Sequence, residues 1–162
     1  MQTNVSGAEA VVTDDIRQFT TFHVEDLYFG IDVLKVQEVM RHQGMTGVPL
    51  APAVVKGLIN LRGQIVTAID LRLRLDLPER KTDELPMNVV ARSEDGAVSL
   101  LVDEIGDVVE VSDDAFEQPP DTLQGESREL VRGVYKLPRQ LLHVLQLEKM
   151  VQLRTAGNAA VA

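Results

Sequence analysis

A chain of 162 residues with 44% apolar content has room for one ordinary domain, or two small ones sharing a core, and its composition argues against global disorder. A net charge of −9, 4% aromatic content and no Trp argue against nucleic-acid binding, which needs a basic excess or stacking rings. With no Cys, disulfides, thiolate catalysis and thiolate metal sites are removed, and no apolar run approaches the length that spans a bilayer.

Residues 1–15 are small and acidic, without the basic and apolar regions of a signal peptide, and are expected to form a flexible tail on a cytoplasmic protein. Gln18 to Val24 and Leu27 to Ile31 predict a hairpin around Glu25-Asp26, holding four of the six aromatics. One turn is expected over Asp32 to Lys35, a strand over Val36 to Met40, and a loop with two Gly and two Pro over His42 to Pro52. Val55 to Asp70 reads as a second hairpin turned by Arg62-Gly63, because glycine takes positive φ at little steric cost. Leu71 to Leu75 predicts a helical turn ending before Pro78. Glu79 to Pro86 is charged, with Leu85 as its one core candidate, and is the expected internal boundary. Beyond it, Asn88 to Arg92 and Val98 to Val102 predict a hairpin around Glu94-Asp95-Gly96, and Ser112 to Gln124 an acidic loop. A last hairpin is expected over Leu130 to Leu147, a short C-terminal helix from Glu148 to about Leu153, and a loose tail over 156–162.

Much of the second hairpin returns 76 residues later. Gly57, Leu61, Gln64 and Leu71 recur as Gly133, Leu137, Gln140 and Leu147, and Val55 as Val131. Asn60, Arg62 and Gly63 become Lys136, Pro138 and Arg139. The Asp32 to Val39 stretch is echoed at Asp103 to Val111 with one insertion. These echoes predict an all-β fold with a duplicated unit of about five short strands, each closing into a small barrel that removes its own edges. A unit this size has a thin core, so the two are expected to share an apolar seam, with subdomains over 16–82 and 83–155.

Charge follows the halves. Ser93 to Ser127 holds 11 Asp or Glu and no Lys or Arg, leaving 14 acids against 16 bases elsewhere. A solvated acidic face is the simplest account, and a surface steering towards a basic partner the sharper one.

The chain carries no phosphate-cradling glycine loop and no GxSxG nucleophile turn. His23, His42 and His143 lack metal-ligand spacing and read as structural or surface residues. Asp103, Glu104 and Asp107 could suggest a cation site, but they do not follow the calcium-loop pattern, and an exposed acidic turn is favoured. No catalytic residue, metal or cofactor is expected. What remains is the Arg62 tip, whose guanidinium could pair with Glu38, Asp70 or a partner carboxylate. Val39 reads as core, and Val36 as more open to a partner.

Phe29-Gly30-Ile31-Asp32, Val36-Gln37-Glu38-Val39, Val55 to Gly63 with its Asn60-Leu61-Arg62-Gly63 run, and Asp70-Leu71-Arg72 closely resemble the CheW family of chemotaxis coupling proteins. The likeness runs from about Phe19 to Leu153 and includes Val102-Asp103 to Val108. It implies two SH3-like five-stranded barrels, and a non-catalytic adaptor joining the cytoplasmic tips of chemoreceptors to the regulatory domain of the histidine kinase CheA. That kinase domain is itself similar to the family, so barrel-end contacts can build rings. Receptor binding is implied to lay a helical hairpin in the groove between barrels. Val36, Glu38, Gly57, Arg62, Gly63 and Val108 are the implied partner contacts, at a cytoplasmic array beneath the membrane. Two other readings stand beside it: a related adaptor of a pathway controlling pili or development, and a small β-barrel protein binding a metal at Asp103-Glu104-Asp107.

Overall fold

The first half of the chain builds a hairpin of β1 (Ile16–Val24) and β2 (Leu27–Asp32), a 3-10 turn at Val33–Lys35, β3 (Val36–Met40), a second hairpin of β4 (Val55–Leu61) and β5 (Gln64–Asp70), and one helical turn, α1 (Leu71–Arg74). The second half runs β6 (Met87–Ser93), β7 (Gly96–Val102), β8 (Glu104–Ser112), a 3-10 turn at Asp113–Ala115, β9 (Phe116–Glu117), α2 (Gly125–Leu130), β10 (Val131–Lys136), β11 (Leu141–Leu145) and α3 (Leu147–Met150), repeating the strand–hairpin–helix-turn pattern with β9 and α2 added. This is a computed structural model, and it describes residues 16–153 apart from Thr82, Thr122 and Gln124; both expected tails, 1–15 and 156–162, lie outside the described residues.

The strands form two sheets, one ordered β8-β1-β2-β11-β10-β9 and the other β3-β6-β7-β5-β4. Each sheet therefore takes its first hairpin from the opposite half of the chain. β2 pairs in parallel with β11, and β7 in parallel with β5. Parallel neighbours need a long crossover rather than a tight turn, and the exchanged halves supply it. A division at 82/83 therefore does not separate the sheets: the two, of six and five strands, are each built from both halves of the chain.

The duplication survives at the level of register. Val55 pairs with Ile69 and Gly57 with Ala68 across a register shift, as Val131 pairs with Leu145 and Gly133 with Val144 across the same shift. The repeated glycines have one cause. A Cβ on Gly57 would stand 2.7 Å from the Thr46 carbonyl oxygen, and one on Gly133 would stand 2.6 Å from that of Glu117. In both copies the returning chain lies on the glycine: Thr46 bridges Leu58, and Glu117 pairs with Val134. These bridges cover the outer edges of β4 and β10, which would otherwise present unpaired backbone groups.

The seam between the sheets is one cluster. Phe22, Phe29 and Ile31 from the β1–β2 hairpin pack with Leu100 and Val102 from the β6–β7 hairpin, and with Leu71, Leu147 and Met150 from the helical turns. Each fully buried side chain of this kind contributes about 1.5–3 kcal/mol. The shared seam thus holds together hairpins that no single half could cover.

Local expectations need four corrections. Leu85 is 67% exposed, and Pro86 is the buried residue of the presumed linker. The acidic loop contains β9, because Phe116 docks beside Tyr135 and draws the chain into the sheet. α2 was unforeseen in a stretch of mixed charge, where its one buried residue, Leu130, gives no periodic pattern. The C-terminal helix is the single turn Leu147–Met150, matching α1 in the repeat.

Candidate functional site

At the β4–β5 tip, Leu61 pairs with Gln64 and the two residues between them both take positive φ, 51° at Arg62 and 88° at Gly63. Two consecutive left-handed residues are the conformation of a two-residue type I′ turn, whose twist matches the flanking strands. Glycine adopts it freely, whereas an L-residue such as Arg62 pays about 1–2 kcal/mol. Asn60 offsets part of that by accepting a hydrogen bond from the Gly63 N–H at 2.9 Å.

The turn aims Arg62 across to β3, where its guanidinium pairs with Glu38. Of the three partners open to it, Glu38 is the one taken. Gln37 Nε2 donates to Gln64 Oε1 at 3.3 Å, so two side-chain links join β3 to the tip. Arg62 is 69% exposed and Glu38 25% exposed, so water screens the pair and its stabilising effect is small. The pair is a displayed charge rather than a structural clasp. Val39, 42% exposed, and Ile65, 60% exposed, lie on the two strands that carry it.

The six implied contacts separate here. Glu38, Arg62 and Gly63 come together at the tip. Gly57 is buried under Thr46 and Met45 and offers no surface, so its role is to admit the returning chain. Val36 packs against the inter-sheet cluster, while Val39 faces solvent, the reverse of the expectation. The register shift between Val36 and Glu38 puts both valines on the face of β6 that carries Ala91 and Val89. Val36 is covered there by the main cluster and Val39, further along the strand, is not, while Met40 packs on the other face. Val108, 55% exposed, sits on β8 in the other sheet.

Strand register also corrects the echo between Asp32 to Val39 and Asp103 to Val111. Val36 opposes Ala91 and Val39 opposes Val89; in the other copy Ile105 opposes Phe22 and Val108 opposes Thr20. The matched residues are therefore Val36 with Ile105, both packed on the main cluster, and Val39 with Val108, both exposed. The 3-10 turn before β3 has no counterpart before β8, where Asp103 alone links the strands, and this difference displaced the alignment.

Asp103 is no free acidic turn. Its carboxylate accepts from Arg72 Nη2 at 2.7 Å and Nε at 3.1 Å, from Arg80 Nη2 at 2.7 Å, and from the Glu25 N–H at 2.7 Å. Burial pushes its pKa up, but the hydrogen bonds from Arg72, Glu25 and Arg80 outweigh burial and hold it below the ordinary carboxylate value. The hydrogen bond to Asp103 in turn raises Arg72 against the lowering effect of burial. The residue proposed as a metal ligand is thus committed to two guanidinium groups. Arg74 pairs with Glu126 and Arg17 with Asp113, so arginines of the first half also meet acids of the second. Among the described residues, no three His, Asp or Glu side chains gather as a metal site.

A duplicated, interleaved β fold with a charged tip displayed on rigid strands is the architecture of a protein-interaction module. The family comparison agrees: the model of the CheW-like domain matches residues 18–155. The chain is 32% identical over 143 residues to the chemotaxis protein CheW of Treponema pallidum (strain Nichols), covering 86% of this chain and 84% of that one. It is 31% identical over 139 residues to CheW of Bacillus subtilis (strain 168), covering 85% and 88%. The fold is similar to the crystal structure of the scaffolding protein TtCheW from Thermoanaerobacter tengcongensis, with a TM-score of 0.77 at 23% identity over 85% of this chain and 93% of that one. The chain belongs to the CheW-like family, a family of non-catalytic scaffolds in chemotaxis.

Proposed function

We propose that this chain is a coupling adaptor, joining the cytoplasmic tips of chemoreceptors to the regulatory domain of the histidine kinase CheA in the cytoplasm beneath a receptor array. The observation that carries the reading is the displayed Arg62–Glu38 pair, with the exposed Val39 and Ile65 on the same two strands, β3 and β5. An ion pair of little value to the fold, set on a turn that strains its arginine, has its use at a partner surface. Apolar flanks supply affinity, and the charges fix register and partner choice. Val108, at the matching position of the other sheet, marks a second contact face.

The test is binding of the purified chain to the CheA regulatory domain and to receptor tip fragments. A complex at micromolar concentration is expected, and Arg62→Ala and Glu38→Ala should each weaken it about tenfold or more, within the range seen for truncated interface charges. No complex with either partner at those concentrations would sink the proposal.

A further inference from the structure

A cavity of about 220 Å³ lies at one end of the β8-β1-β2-β11-β10-β9 sheet, where β1 begins, β2 ends and α3 follows β11. Its floor belongs to the core. Phe19, Tyr135, Leu145 and Leu147 all line it, and none is more than 5% exposed. The Phe19 and Tyr135 rings lie 5.6 Å apart between centroids and form an aromatic wall.

The rim is cationic. Arg17, Lys35, Arg132 and Lys149 line it, all exposed, against two acids, Asp32 and Glu148. This local excess of positive charge sits in a chain whose net charge is −9. Both acids are engaged by backbone: Asp32 accepts from the Leu34 N–H at 2.9 Å, and Glu148 from the Glu94 N–H at 3.2 Å. Arg17 is held by Asp113 at 3.1 Å, whereas Lys35, Arg132 and Lys149 have no carboxylate partner among the described residues. Like charges gathered at one rim repel one another, and the fold gains nothing from that.

The first copy closes the matching place with a carboxylate of its own. Asp70 is 4% exposed there and accepts from the Arg72 N–H at 2.9 Å. Its counterpart 76 residues on is Gln146, a neutral side chain that lines the cavity and donates to the Glu129 carbonyl at 3.1 Å. One copy buries a carboxylate, and the other leaves a space edged with cations.

We propose that this cavity binds a small monocarboxylate with an apolar body, the body on Phe19 and Tyr135 and the carboxylate among Lys35, Arg132 and Lys149. An apolar floor with a few converging charges is the make-up of a small-molecule site. Each water takes up about 30 Å³, so the space suits a ligand of about ten non-hydrogen atoms. A ligand of that size binds with a Kd on the order of 1 mM. The site lies on the other sheet from the Arg62 tip and does not rest on the coupling reading.

Titration of the chain with benzoate, followed by proton–nitrogen NMR, tests it. Saturable shifts are expected at the Tyr135, Leu145 and Leu147 amides. Benzyl alcohol and benzylamine, of the same size but neutral and cationic, should bind at least about tenfold more weakly. Arg132→Gln with Lys149→Gln should weaken benzoate about tenfold and leave benzyl alcohol unchanged; both side chains are exposed, so the fold is spared. Asp32→Asn removes a negative charge while keeping an acceptor for the Leu34 N–H, and should tighten benzoate binding. No saturable shift at those amides up to about 20 mM, well above the expected Kd, would overturn the proposal. So would equal binding of the three probes, benzoate binding unaffected by the double variant, or weaker binding in Asp32→Asn.

Discussion

Asp103→Asn keeps the shape of the side chain and removes the charge that two guanidinium groups share. Arg72 would retain Glu25 at 2.8 Å, and Arg80 would be left with Asp70 at 3.9 Å. The side chains of Arg72, Arg80 and Asp103 are only 10%, 9% and 18% exposed, so water replaces the lost partner poorly. Breaking a fully buried pair costs about 3–5 kcal/mol, and with Glu25 remaining and partial solvent access the expected loss here is about 2–3 kcal/mol. In a domain of this size each kcal/mol moves Tm by about 2–4 °C, so a fall of about 4–12 °C is predicted at neutral pH. The acid limb gives a second signature. Because the native pKa of Asp103 is depressed, the unfolded state binds the proton first as pH falls, and stability is lost from about pH 4 downward. The asparagine variant has no such proton to bind, so its stability should fall less steeply there. Thermal melts by circular dichroism from pH 3 to 7 measure both. A Tm within about 1 °C of the parent at pH 7, or an unchanged acid slope, would refute the account of Asp103 as a buried partner of Arg72 and Arg80.

Gly57→Ala and Gly133→Ala should each lower stability by about 1–3 kcal/mol in denaturant titrations, because the new methyl meets a carbonyl oxygen of the returning chain. Gly44→Ala, with nothing within 4 Å of its added Cβ, is the control; equal stability of Gly44→Ala and Gly57→Ala would defeat the argument. Arg62→Ala should shift Tm by less than about 3 °C, since an exposed pair contributes roughly 0–1 kcal/mol. A larger fall would make the pair structural. Asn60→Ala removes the acceptor of the Gly63 N–H and should speed amide exchange at the tip while sparing β5 beyond Val66; unchanged exchange at Gly63 would show that the turn holds without it.

The hairpins were legible because their signals are local: alternating apolar residues, tight turns and constant spacing between copies. Glu25-Asp26, Arg62-Gly63 and Glu94-Asp95-Gly96 all mark real turns, with positive φ at Glu25, Arg62, Gly63 and Gly96. Which hairpin joins which sheet is decided by long-range pairing of β2 with β11 and β7 with β5, and no local pattern encodes that. The same limit explains Val36 and Val39: the register shift on β3 puts them on one face, and how far the seam extends along the strand decides which of them is covered. Gly57 is a different case. Its repetition as Gly133 pointed to fold, and the close approach of Thr46 and Glu117 now supplies the cause. The sequence around Asp103 suggests an exposed acidic turn because its arginines come from the other half of the chain, over a distance that a sequence window does not span.

The exchange of hairpins also accounts for where the two copies differ. Pairing within β4–β5 and β10–β11 follows the same register, and both glycines are held by a returning chain, so the flanks have little freedom to change. The tips lie beyond these constraints. Arg62-Gly63 closes β4–β5 with two positive-φ residues, whereas the Leu137 N–H donates to the Gln140 carbonyl at 2.9 Å around Pro138-Arg139, with no positive φ between them. A proline with its fixed negative φ could not replace Arg62, and a type I′ pair is not needed at the other tip. Changing a tip therefore alters a displayed surface without disturbing the seam. In this chain Asn60 and Gly63 set the backbone conformation, and Arg62 uses it to reach Glu38. At the other tip the ion pair is Lys136 with Glu117 at 3.4 Å, made from the end of the strand rather than from the turn, so only the first copy presents its cation from the turn itself.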